Sequence, residues 1–94
     1  MNYTDLIRQQ RTKLKLTRVD YAKLLGVSQN TVLNWETGVS IPDDYRIVII
    51  NQLDKKIEQQ KKLEGNELLK ILAIGGVAAF LLWALTTDNK PTKR

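Results

Sequence analysis

Three side-chain amides, Gln29, Asn30 and Asn34, fall close together in the run LLGVSQNTVLNWETG, Leu24 to Gly38. Each amide holds an acceptor oxygen and a donor nitrogen in one plane. That pattern matches the adenine edge in the major groove of a duplex, and it serves other bases through single bonds. Asn30 and Asn34 are four apart, so on a helix they share a face about one turn from each other. Around them Ser28, Thr31 and Thr37, with the backbone N–H groups of helix starts, suit phosphate oxygens, which position a reader without carrying sequence information. Arg18 and Lys23 add charge contacts that weaken as salt rises. On an arbitrary helix such a cluster is a solvated face, so the elements around it decide what it does.

Other chemistries are poorly served. The chain has no Cys and no His, which removes disulfides, Cys or His zinc sites, thiol nucleophiles and imidazole bases. Asp43 and Asp44 stand directly after Pro42 and read as a helix start rather than as an acid/base pair. We therefore expect no enzymatic activity, no cofactor and no metal. The net charge of +5 favours an anionic partner, either nucleic acid or a lipid headgroup surface.

Ninety-four residues allow one small domain and an appendage. The composition divides the chain into a globular part at 1–50, a charged helical connector at 51–67, an apolar run at 68–87 and a polar tail, DNKPTKR, at 88–94. The opening MNYTDLIRQQ is polar and mixed in charge, unlike a secretory signal, so the expected starting compartment is the cytoplasm.

Within the globular part, Asn2 with Asp5 and Thr17 with Asp20 resemble capping boxes, which predicts helices starting near Tyr3 and Arg18. The first buries Leu6, Ile7 and Leu14, and the second Tyr21, Ala22 and Leu25. Gly26 ends the second helix, because glycine tolerates the left-handed backbone a terminus needs, and Ser28 caps the next after one residue. So short a turn makes the two helices cross steeply and calls for a small side chain, Ala22, at their closest approach. Val32 and Trp35 are the inward anchors of the third helix, and Gly38 stops it.

This pattern resembles the helix-turn-helix of the Cro and phage-repressor (XRE-like) family over Arg18 to Thr37. The family asks for a small residue at the fifth position, glycine at the ninth, and apolar residues that here are Tyr21, Leu25, Val27, Val32 and Trp35. The flanks IRQQRTKLKLT and WETGVSIPD are similar to the family's first helix and to the ending of its third. The resemblance implies that Gln29, Asn30 and Asn34 read base edges, and that Arg18, Lys23, Ser28, Thr31 and Thr37 meet the DNA backbone. It also implies that Arg11 and Glu36 form a structural link between the first helix and the end of the third. Arg18 stands where the family often has a bracing Gln. Tyr21 replaces the usual Leu and is expected to pack with its hydroxyl at the edge of the domain.

After Pro42, Ile47, Ile50, Leu53 and Ile57 fall near one stripe. The spacing of Ile50, Leu53 and Ile57 suits a short dimer seam, and equally a solvated connector laced with lysines. Gly65 and Asn66 break that helix, and Asn66 is placed to cap a new one from Glu67. The window Leu68 to Thr87 has Lys70 as its one charge and is long enough for about 30 Å at 1.5 Å per residue. Its eight strongly apolar residues favour insertion by about 2.5 to 5 kcal/mol. A domain of this size is expected to offer no groove for a helix apolar all round, so the run reads as a membrane span. Lys55, Lys56, Lys61, Lys62 and Lys70 before it outweigh Lys90, Lys93 and Arg94 after it, which predicts an inside N-terminus. Gly75 and Ala79 have a spacing that permits close helix approach.

The expected fold is all-α: a helix-turn-helix domain of four or five helices, a charged connector and a single transmembrane helix. The expected function is a membrane-anchored, sequence-specific DNA-binding protein, a repressor-like regulator or a DNA tether, acting on double-stranded DNA at the bilayer, with a homodimer in view. The rival is a membrane-anchored scaffold similar to cell-shape proteins of the RodZ kind, whose helix-turn-helix domain binds protein. A third reading is a small membrane toxin or phage accessory protein.

Overall fold

The computed structural model describes residues 2–60 and 62–86. Among them are five helices and no strand: α1 (Tyr3–Leu14), α2 (Arg18–Leu25), α3 (Gln29–Glu36), α4 (Asp44–Gln59) and α5 (Gly65–Leu85). Residue 87 and the expected polar tail, 88–94, lie outside the described residues.

Side-chain caps set the first four starts. Asn2, Thr17, Ser28 and Asp43 each accept from the N–H three residues on, satisfying one of the donors a helix start leaves free. The α2–α3 turn closes on Gly26, whose left-handed backbone (φ 70°) lets its N–H reach the carbonyls of Ala22 and Lys23. A Cβ there would meet nothing nearer than the Arg46 guanidinium at 3.6 Å, so the demand for glycine comes from the backbone angle and not from crowding.

Ile7 and Leu14 of α1, Tyr21, Leu24 and Leu25 of α2, Val32 and Trp35 of α3, and Ile49, Ile50 and Leu53 of α4 are buried in one apolar cluster. Each such aliphatic side chain contributes about 1.5–3 kcal/mol by leaving water. Tyr21 corrects the expectation for its hydroxyl. The ring is fully buried, and the hydroxyl donates to Gln10 Oε1 at 2.6 Å while Gln10 Nε2 donates to the Ile50 carbonyl at 3.0 Å. A buried amide thus supplies inside the core the partner that water was expected to supply at its edge, and burial pushes the Tyr21 phenol well above its ordinary pKa. Tyr21→Phe is expected to leave the Gln10 oxygen unpaired and to lower unfolding free energy by about 1–3 kcal/mol, read from urea denaturation; an unchanged midpoint would contradict this.

The C-terminal half departs furthest from expectation. α4 runs unbroken through residue 59, and Ile50, Leu53 and Ile57 are buried within the chain, so the stripe that suited a dimer seam is covered from inside. α5 begins at Gly65, ahead of the expected Glu67, and Asn66 does not cap it; the flanking residue is Glu64, without a side-chain cap. The cause is packing: Gly65 sits against the Leu14 carbonyl and the Leu16 side chain, where any Cβ would lie 2.5 Å from that oxygen. α5 is also not one continuous helix. Gly76 has φ 76° and ψ −171°, a region open essentially to glycine alone, and it divides the apolar run into two halves. Gly75 approaches Ala79 so closely that a Cβ would overlap, so these small residues serve the break within this chain. α5 packs on α2 and α4, with Leu68, Phe80 and Ala84 buried, so the domain does offer a seat for part of an apolar helix.

Candidate nucleic-acid interface

α3 presents its residues in two sets. Val32 and Trp35 point into the core, as the helical spacing predicts. Gln29 and Asn30 are exposed, Asn34 is half-buried, and their side-chain amides make no hydrogen bond among the described residues. Leu33, 37% exposed, shares their side of the helix. An exposed leucine among unbonded amides offers an apolar contact of the kind a thymine methyl accepts.

The backbone-contact candidates have local duties as well. Ser28 Oγ accepts from the Thr31 N–H at 3.1 Å and lies 2.9 Å from Thr31 Oγ1, and Thr37 Oγ1 donates to the Leu33 carbonyl at 2.9 Å. Ser28 and Thr37 therefore hold the two ends of α3. Ser28 and Thr37 remain exposed and Thr31 half-buried. Lys23 is exposed on the last turn of α2.

What fixes α3 in place is a buried carboxylate. Glu36, its side chain 2% exposed, takes Arg11 Nε on Oε2 at 2.6 Å, and Arg11 Nη2 on Oε1 at 3.2 Å. Arg18 Nε adds a third bond to Oε1 at 2.9 Å. Arg11 also donates to the Leu16 carbonyl at 3.1 Å, so one ion cluster ties the end of α3 to the end of α1 and the start of α2. The Arg11–Glu36 link expected from the sequence is thus joined by Arg18, whose terminal nitrogens carry no bond among the described residues and face partial solvent, its side chain being 44% exposed. Thr4 Oγ1 adds a bond from α1 to the Trp35 carbonyl at 2.9 Å.

Burial works against the charged form of Glu36, but the hydrogen bonds and positive charges of Arg11 and Arg18 outweigh it and hold its carboxyl below the ordinary glutamate value. A lowered folded-state pKa means stability that is fully present above the unfolded value, about 4.3, and lost as pH falls through the folded one. The urea midpoint is expected to decline below about pH 4.3, and Glu36→Gln to flatten part of that decline; identical acid profiles would contradict the assignment.

Arg46 is a positioning residue that the sequence reading missed. Its Nε donates to the Leu25 carbonyl at 3.0 Å and its Nη2 to the Gly26 carbonyl at 3.1 Å, satisfying carbonyls at the end of α2. The turn between the two motif helices is thereby braced from α4. The one local signal was Asp43, three residues earlier, which takes Arg46 Nη1 at 3.4 Å. Among the described residues, no group of three acidic, Cys or His side chains could hold a metal ion.

Two short helices crossing at a glycine turn, the second with an outward amide face, define a helix-turn-helix protein. A helix-turn-helix family model matches residues 7–54, just over half of the chain, so the chain belongs to that family. This is a family of DNA-binding regulatory domains, and its match covers α2, α3 and the Glu36 cluster while stopping inside α4. No curated protein and no solved structure matches.

Proposed function

We propose that this chain is a membrane-anchored, sequence-specific DNA-binding protein, a repressor-like regulator or a DNA tether. The observation that carries the reading is the exposed side of α3, where unbonded amides stand on a helix clasped at its end by Glu36, Arg11 and Arg18. Rigid placement of first-contact groups is what base discrimination requires. Gln29, Asn30 and Asn34 read base edges, with Leu33 supplying apolar contact. Arg18, Lys23, Ser28, Thr31 and Thr37 and the start of α3 meet phosphates.

The segment Gly65–Leu85 is long and apolar enough to cross a membrane as a single helix. Only 17% of its most apolar window is buried within the chain, and Ile74 and Leu82 are 88% and 72% exposed. So much bare apolar surface asks for a cover that the domain does not give, and a bilayer supplies it. In this reading residues 1–50 read DNA on the cytoplasmic side, 51–67 connect, and 68–87 span. Two such domains held side by side at the membrane form the dimer that reads paired half-sites.

Val77→Asp tests the anchor. Val77 is exposed, so a carboxylate there leaves the domain intact, yet a charge at mid-bilayer costs about 2.5–3.5 kcal/mol. The variant is expected to shift from the membrane pellet to the soluble fraction while keeping the wild-type helical circular dichroism. Continued residence in the membrane would overturn the span.

A further inference from the structure

We infer that the α2–α4 face of the domain is a seat for the chain's own apolar segment, which α5 leaves when it enters a bilayer; the inference rests on the membrane reading above. Three observations meet here. Gly76 bends α5 through a backbone conformation that no continuous helix contains. Beyond the bend, Phe80 and Ala84 are fully buried in the domain's cluster, and the Trp83 indole lies 6.1 Å from the Phe80 ring, centroid to centroid. The Lys56 ammonium of α4 sits 5.0 Å above the Trp83 ring, and Lys56 is only 7% exposed. The outer side is bare at Leu82, and at Ile74 ahead of the bend, and partly exposed at Val77 and Leu85.

A bent segment with one buried side and one bare side satisfies neither water nor lipid. Two half-helices of this kind are too short to cross about 30 Å of hydrocarbon, whereas the same residues in one helix reach across it. Entry therefore straightens Gly76, withdraws Phe80, Trp83 and Ala84 from the domain and exposes Lys56. The cation on the indole face suits a seat that must open, because Lys56 passes into water with no carboxylate left behind unpaired. α5 packs on α2 as well as on α4, so its departure changes the packing behind the DNA-reading motif.

The chain lacks cysteine, so a single introduced thiol reports on the seat. Full-length Lys56→Cys, whose thiol lies beneath the Trp83 indole, is treated with a water-soluble maleimide before and after mixing with phosphatidylcholine–phosphatidylglycerol vesicles. Ile57→Cys, which keeps Lys56 and Trp83, is run beside it to report on the neighbouring turn of α4. We expect labelling at least ten-fold faster in the vesicle-bound fraction, and faster labelling without vesicles when Gly76→Ala is added. Equally slow labelling in vesicle-bound protein would overturn the inference while leaving the anchor intact, and fast labelling before vesicles are added would show that the seat is not occupied. A protein that stays out of the vesicles with its thiol protected would overturn the membrane reading and the two seatings with it.

Discussion

Glu36→Ala is expected to remove about 2–4 kcal/mol of stability. Breaking a buried ion pair from one side typically costs about 3–5 kcal/mol, because the partner charge stays behind uncompensated. Here the cost is trimmed, since Arg11 and Arg18 are 22% and 44% exposed and recover part of their hydration. Against a total of about 5–15 kcal/mol for a small domain, such a loss moves the melting temperature on the order of 10 °C or more. Calorimetry of the variant checks it. A loss below about 1 kcal/mol would mean that the three helix ends are held by apolar packing alone. Arg18→Ala should cost less than Arg11→Ala, because Arg18 contributes one bond to the carboxylate and Arg11 two bonds and one to a carbonyl.

Replacing Gln29, Asn30 and Asn34 together by alanine is expected to abolish discrimination between a cognate duplex and random DNA. Each well-placed amide–base contact is worth about 1–3 kcal/mol of discrimination, so losing all of them removes a factor of about 100 at the least. Non-specific affinity, set by Arg18, Lys23 and backbone N–H groups against phosphates, should change little, and its salt dependence should keep its slope. Gln29 and Asn30 are exposed and none of the amides bonds within the chain, so the variant should keep the wild-type melting temperature. Equal losses on cognate and random duplexes, measured by anisotropy titration at one salt concentration, would show that the amides do not read bases.

Much of this was legible in the sequence, for reasons that differ from residue to residue. The starts at Asn2, Thr17 and Ser28 are written locally, because a cap needs only its own residue and the N–H three positions on. Gly26 is legible for the same reason. Val32 and Trp35 follow from helical period, and the amide face is what that period leaves outside. The Gln10–Tyr21 bond was not legible. Glutamine is usually a surface residue, and nothing near it in the chain reveals that Tyr21 and the Ile50 carbonyl converge on it. Arg18 was read as a phosphate contact from its charge, and its bond to Glu36, 18 residues away, depends on how α2 and α3 cross.

In α5 the apolar helix was read correctly, and its start and shape were not. GG inside an apolar run is common in membrane helices, and its composition says nothing about whether the backbone is straight there. The bend at Gly76 and the seat on α4 come from Phe80, Trp83 and Lys56 meeting across the fold, a contact between residues about 25 apart. Gly65 likewise looked like a helix breaker and serves as a contact surface for Leu14 and Leu16.

The central claim is that α3 reads base sequence through its amides. It is tested most directly by in-cell crosslinking of the full-length protein and sequencing of the recovered DNA, beside the Gln29→Ala, Asn30→Ala, Asn34→Ala variant at equal abundance. The account predicts discrete peaks that share a half-site in paired arrangement and vanish in the variant. Recovery no different between the two proteins would contradict it, and the outward face of α3 would then belong to a protein partner.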